Sequence, residues 1–389
     1  MKLSIKQLAS VLATYITENK ISNASFVETR DNTVGLLDTI GKIFTITTNY
    51  VDKLARFDGE DLSFGKTVEE WASDLILVED YRPSGNQALS PHYSTYRPVY
   101  FSYTLGRKVI PQTIAYNDIE RAVHNEGQFI SIIEDKTRKM YDSETMFRYG
   151  MKRQALGVLA TICDSIMDSS NADYTITSAS ATWATISSGV AGVVNDVVYV
   201  NVTGGQTNGI YCLVKPIASD STKVLSDLLA EGYLIQYDLV TEIAKPVDTS
   251  TGEAFVKQVK KDVEISQDFS EGHSLNANTL GVAPENGLVL FVKQGLLPTL
   301  DVDVQAGAFH QDKVALPAQI IVLPDFGNAD GDIYALLADE RIMRLYNTYR
   351  AVRTNENGDG DFMNYFFHTE QTCHVSRNCF VKVYKVPQA

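Results

Sequence analysis

Between Phe64 and Ala122 two strand-like runs flank a polar tip, and this stretch constrains the fold more than any other. The outgoing limb carries Phe64-Gly65-Lys66-Thr67-Val68-Glu69-Glu70-Trp71 and Asp74-Leu75-Ile76-Leu77-Val78-Glu79-Asp80-Tyr81-Arg82-Pro83. The return limb is Tyr96-Arg97-Pro98-Val99-Tyr100-Phe101-Ser102-Tyr103. A two-stranded arm cannot bury both of its faces within its own chain, and an isolated hairpin is marginal in water without a third strand or a partner surface. The arm is therefore expected to point outward, toward another copy.

Charge narrows the partners. Across 389 residues, Lys and Arg number 34 against 48 Asp and Glu, a net charge of −14, which argues against a broad nucleic-acid-binding face. With 44% hydrophobic and 21% charged residues the chain is ordinary for a globular protein. The cysteines (Cys163, Cys212, Cys373, Cys379) are too sparse for a disulfide framework, so a reducing cytosol is expected. No run of 18 apolar residues marks a membrane span, and Gln7, Ser10 and Thr14 interrupt any signal-peptide core.

Along the chain, Ser4 with Gln7 fits a capping box for a helix over residues 4–17. Asn117 with Glu120 marks a second helix start. A long helix is predicted from about Phe129 to Met167, with Ile132, Ile133 and Met140 in its first half and a stripe of Met146, Tyr149, Arg153, Leu156, Leu159, Ile162 and Ile166 recurring every three or four residues in its second. Lys152 and Arg153 fall off or at the rim of that stripe, and Asp142 or Ser143 is a candidate cap for a second segment. From Asn171 to Val214 only Asp173 and Asp196 are charged, and strands are predicted at 175–177, 197–202 and 209–214 with a turn at Gly204-Gly205. Helices follow over 221–231 and 253–269. Leu288–Val292 and Gln319–Leu323 are continuous apolar runs, the pattern of strands buried on both faces. Ile333–Leu337 extends that core. After an acidic, Gly-rich turn at 355–361, Phe380–Tyr384 alternates as a closing strand with one buried face.

No motif for catalysis stands out. Gly65-Lys66-Thr67 resembles the end of a phosphate loop, but the required upstream glycine falls at Glu60. His368, Cys373, His374 and Cys379 lack the paired spacing of a compact zinc site, and 355–361 lacks the twelfth-position Glu of a calcium loop. Asp301 and Asp303 have no nearby His to share acid–base work, and no Ser sits in a nucleophile elbow. The expectation is a non-enzyme with no cofactor and no metal, a metal-dependent hydrolase being the enzyme-class rival.

The stretch Gly65-Lys66-Thr67-Val68-Glu69-Glu70 through Tyr81, and the helical run Ile130–Leu156, resemble the corresponding parts of major capsid proteins of short-tailed bacteriophages. The order of Ile320–Leu323, Ile333–Met343, a polar turn and closing strands is similar to the Hong Kong 97-type fold. That resemblance implies an α+β subunit with an N-terminal arm (1–63), an extended hairpin loop (64–112) and a peripheral domain with a long spine helix (113–170 and 351–389). A β-rich insertion (171–215) and an axial domain (216–350) complete it. Lys66, Trp71, Glu79, Asp80, Tyr81, Arg82, Arg97 and Arg107 are then the inter-subunit contacts of the extended loop, and Asp301, Asp303 and His310 those of an axial loop. Pentamers and hexamers would close a shell around double-stranded DNA held without sequence-specific contact, in a virion assembled in the bacterial cytoplasm. Some 60 residues ahead of the loop are too few for an internal scaffolding segment, so a separate scaffolding protein and a portal protein are expected partners, and no membrane. An encapsulin-like nanocompartment shell is the alternative.

Overall fold

The structure is a computed structural model that describes residues 50–62, 68, 70–73, 96–99, 102–104, 107–115, 126–268, 272–276, 282–284, 286–297, 318–327, 331–360 and 362–387. The helices expected at 4–17 and from Asn117 lie outside these residues. The chain divides into two units. One takes the described parts of Met1–Thr67, Tyr103–Lys152 and Leu345–Cys373, the other those of Val68–Ser102, Arg153–Arg344 and His374–Ala389.

Helix α1 runs unbroken over Glu126–Ile166. The cap expected at Asp142 or Ser143 does not form, because the Ser143 hydroxyl donates to the Lys139 carbonyl one turn back (2.7 Å) and the ladder continues. The buried stripe matches the expected one at Met140, Leu156 and Leu159 and departs from it elsewhere. In the first unit it comprises Met140, Tyr141, Glu144, Met151 and Lys152, whereas Met146 is 58% exposed. In the second unit it continues as Leu156, Leu159, Ala160 and Cys163. Lys152, expected off or at the rim, is fully buried because the buried Asp52 and the partly exposed Asp58 receive its ammonium group.

The first unit's sheet joins β3 (Ser102–Thr104), β4 (Lys108–Ala115), β13 (Met343–Asn357) and β14 (Phe362–Val375), with β14 between β13 and the β3–β4 limb. β4 pairs antiparallel with β14 from Lys108↔Thr369 to Ala115↔Phe362. The turn predicted at 355–361 joins β13 to β14, with Asn357 Oδ1 accepting from the Asp359 and Gly360 N–H groups (3.1 Å each).

In the second unit a five-stranded sheet has the order β11-β10-β12-β15-β9, formed by Gln319–Leu323, Leu288–Lys293, Ile333–Asp339, Val381–Lys385 and Val240–Glu242. β10 and β12 are buried along their apolar runs, as expected. Among the described residues β11 lies at the edge of the sheet, and its burial alternates, so it is not buried on both faces. β15 departs the other way. It lies between β12 and β9, and Lys382, which opposes Leu337, is only 1% exposed because Asp238 receives its ammonium group. One face of the sheet packs on helix α4 (Thr249–Gln267) through Phe255, Val259, Val263, Leu290, Leu337 and Tyr384. β15 thus shares a sheet with β10 and β12, strands that the resemblance assigned to a different domain.

The charge-poor segment supplies β5 (Tyr174–Ile176), β6 (Val197–Val200) and β7 (Gly209–Leu213) of a four-stranded sheet, and β8 (Leu234–Gln236), from beyond the expected 171–215 insertion, completes it. Trp183, in the short helix α2 (Trp183–Ile186), fills its core with Val198, Val200, Leu213 and Leu228, the last from helix α3 (Leu225–Ala230). Gly192 closes over the indole, where a Cβ would sit 2.5 Å from the ring.

Candidate assembly surface

Strands β1 (Glu70–Ser73) and β2 (Tyr96–Val99) form a two-stranded antiparallel sheet whose register runs from Glu70↔Val99 to Ser73↔Tyr96. Among the described residues no third strand joins this pair. Pro98 opposes Trp71; lacking an N–H, it suits a strand with an open edge. Trp71 is 63% exposed, a large aromatic surface left to water.

The residue beside it behaves in the opposite way. Glu70 Oε1 accepts from the Ser376 hydroxyl (2.6 Å), and Oε2 accepts from the Arg377 N–H (3.4 Å) and lies 3.6 Å from His374 Nε2. Burial pushes the Glu70 carboxyl up, but His374 and Ser376 together with the Arg377 amide outweigh it, so the group titrates below the usual range.

Of the other residues expected on the extended loop, Arg97 takes its place in β2 opposite Ala72. Arg107 is half-exposed and already engaged in its own chain, its guanidinium 4.0 Å from the centre of the Tyr349 ring and Nε 3.6 Å from Glu370 Oε2. Lys66, Glu79, Asp80, Tyr81 and Arg82 lie outside the described residues, as do Asp301, Asp303 and His310 of the expected axial loop.

A second feature was not expected from the sequence. Residues 50–62 form a strap docked along β13. Gly59 N–H donates to the Leu345 carbonyl and Leu62 N–H to that of Asn347 (2.8 Å each), while Leu54 and Phe57 are fully buried. Gly59 lies flat against Tyr346, where a Cβ would come within 2.5 Å of the ring. Lys152 pins this strap, donating to Asp52 Oδ2 (2.5 Å), Asp58 Oδ1 (2.7 Å) and the Leu54 carbonyl (3.0 Å). Arg148 adds a contact to Asp58 at 3.1 Å. Beside the strap a cleft of about 420 Å³ is lined by Tyr50, Val51, Tyr141, Glu144, Arg148 and Arg350 among others. Its floor is an Arg350–Glu144 pair at 2.5 Å, with Glu144 only 4% exposed. A lysine at stripe spacing with Asp52 and Asp58 upstream was the available signal, but the three meet only in the folded chain.

Among the described residues no group of three or more His, Cys, Asp or Glu side chains converges to hold a metal ion. Burial pushes the Cys373 thiol up to about 12 and that of Cys379 to about 11, the behaviour of packed thiols. Nor is any helix among the described residues long and apolar enough to cross a membrane.

The described residues form a mixed helix-and-sheet fold, and that fold resembles solved phage capsid structures. The capsid structure of Staphylococcus phage Andhra superposes with a TM-score of 0.54 at 10% identity, covering 89% of this chain and 86% of that one. A chain from the structure of the head fiber and inner core protein gp22 of native bacteriophage P68 gives 0.53 at 9% identity, over 88% and 87%. The architecture is consistent with the Hong Kong 97 type. A family profile described as Phi29-like phage major capsid protein matches residues 5–188 and 218–380, and the chain belongs to that family. The major capsid protein of Bacillus phage B103 is 32% identical over 88 residues, 23% of this chain and 19% of the relative. That of Bacillus phage PZA is 27% identical over 156 residues, 39% of this chain and 34% of the relative. The chain thus spans about a fifth and a third of the length of these curated relatives. The family favours a phage head chain over a nanocompartment shell.

Proposed function

We propose that this chain is the structural subunit of a phage head, closing into pentamers and hexamers that form a shell around double-stranded DNA. The observation that carries the reading is the β1–β2 arm, a two-stranded sheet with a tryptophan 63% exposed on it. Such an arm gains its missing burial on an identical molecule, and a heterologous contact that closes by rotation makes a ring. Each contact need only be modest, because every subunit is held by several neighbours at once. The negative balance of −14 suits a wall along which packaged DNA slides without sticking. The role is structural, with no catalytic step. A separate scaffolding protein and a portal protein are the expected partners, and assembly takes place in the host cytoplasm before the shell becomes part of the virion.

The test is expression with and without the neighbouring head genes, followed by negative-stain electron microscopy. Closed shells are expected from the full chain, and soluble subunits without shells after deletion of residues 82–97. Normal particles from that deletion, or a full chain that stays a lone subunit under every condition, would overturn the reading.

A further inference from the structure

We infer that Glu70 is a positioning residue that fixes the direction in which the β1–β2 arm leaves the body of the subunit. The inference rests on the shell-building reading and specifies how the arm is aimed. Glu70 is the first residue of β1, paired across to Val99, so it stands at the root of the arm. Its carboxylate is held by the end of β14, through His374 Nε2, and by the turn between β14 and β15, through the Ser376 hydroxyl and the Arg377 amide.

That turn is itself a fixed platform. Ser376 N–H donates to the Ile342 carbonyl (2.8 Å), Asn276 N–H to the Arg377 carbonyl (2.9 Å), and Asn276 Nδ2 to Asn378 Oδ1 (3.0 Å). Ser376 is 3% and His374 7% exposed, so neither is free to follow the arm if it swings. One residue further on, Trp71 is turned to solvent. A rigid anchor adjoining an exposed aromatic is the arrangement of a pre-aimed contact. Holding the root in one direction removes part of the ordering cost that a swinging arm would meet on docking. Alternation along a strand puts Glu70 and Trp71 on opposite faces, so the clamp holds one face and leaves the other for a neighbour.

The experiment compares wild type, Glu70→Ala and Glu70→Gln as full chains, kept unassembled at low concentration, by hydrogen exchange at the Tyr96–Val99 amides. A parallel titration measures the concentration at which shells appear. Expected in Glu70→Ala are arm amides that exchange roughly tenfold faster, with the β10 and β12 amides unchanged, and an assembly threshold raised roughly tenfold. Glu70→Gln, which keeps the shape and one acceptor oxygen, falls between. If Glu70→Ala does not fold, Glu70→Gln carries the comparison alone. Arm amides as protected as wild type in both variants would overturn the inference. A wild-type chain that makes no shell would sink the functional reading instead, leaving the hydrogen-exchange result to judge the clamp.

Discussion

Lys152 and Asp52, a hundred positions apart in sequence, meet at 2.5 Å where neither is open to water: the lysine side chain is 0% exposed and the aspartate 6%. A buried charge is tolerable only when paired and hydrogen-bonded. Here the lysine's three donors find Asp52, Asp58 and the Leu54 carbonyl. Lys152→Met removes the cation and leaves Asp52 buried without it. The expected cost is about 3–5 kcal/mol, with the Asp52→Asn, Lys152→Met double variant recovering part of it. Denaturant unfolding gives the magnitude. Hydrogen exchange at residues 54–62 shows whether the strap is the part released, and unchanged protection there would contradict the pinning role.

Trp71→Ala separates folding from association. The side chain is exposed, so subunit stability is expected to move by less than about 0.5 kcal/mol. As a central aromatic of an interface its truncation costs about 2 kcal/mol per contact, or roughly a 30-fold higher assembly threshold. Light scattering against subunit concentration measures this, and an unshifted threshold removes Trp71 from the contact.

Acid is expected to release the arm. The Glu70 carboxyl is held below its ordinary value of 4.5, so the folded state binds its proton less readily than the unfolded chain. Its stabilisation is therefore complete above about pH 4.5 and fades as pH falls through the lower folded value. The groups facing it are His374, Ser376 and the Arg377 amide. Arm amides, corrected for intrinsic exchange, should lose protection in mild acid in the wild type and not in Glu70→Gln. Equal profiles in the two would show that this carboxylate is not the acid-sensitive element.

Asp262 titrates with the opposite sign. It is 2% exposed, and burial raises its carboxyl against the hydrogen bonds that Tyr384 Oη (2.7 Å) and Gln258 Nε2 (2.9 Å) donate to it. The folded state therefore holds this proton more tightly than the unfolded chain. Its contribution is fully present below about pH 3.8 and is lost as pH rises through the raised value. Relative to Asp262→Asn, wild-type stability should decline over that window and then level off. Chemical denaturation across pH checks the slope, and a rising difference would reverse the assignment.

Local pattern made some of this legible and hid the rest for identifiable reasons. Helix α1, the buried runs of β10 and β12, strands β5 to β7 and the turn near Asn357 each carry their signal locally, and all are present, whereas β8, which completes the small sheet, went unread. The return limb of the arm also falls where Tyr96–Val99 predicts it. What failed depended on distant partners. Lys152 was placed off or at the rim of the stripe and nothing marked Lys382 as buried, because the carboxylates that receive them, Asp52 and Asp238, come from 100 and 144 positions away. Ser143 read as a cap because the sequence does not distinguish a hydroxyl that starts a helix from one that folds back on the preceding turn. The continuous apolar run of β11 gave no hint that it would lie at an edge. Glu70 gave no sign of being an anchor, since the Ser376 it reaches is 306 residues downstream.

The placement of β15 has a consequence in time. Its neighbours β9 and β12 are synthesised about 140 and 45 residues earlier, yet neither gains its hydrogen-bonded partner on that side until residues 381–385 arrive. Until then two strands carry bare edges that invite pairing with other chains. A nascent subunit therefore cannot complete this sheet early, and any truncation upstream of Val381 should yield insoluble protein, however intact its arm.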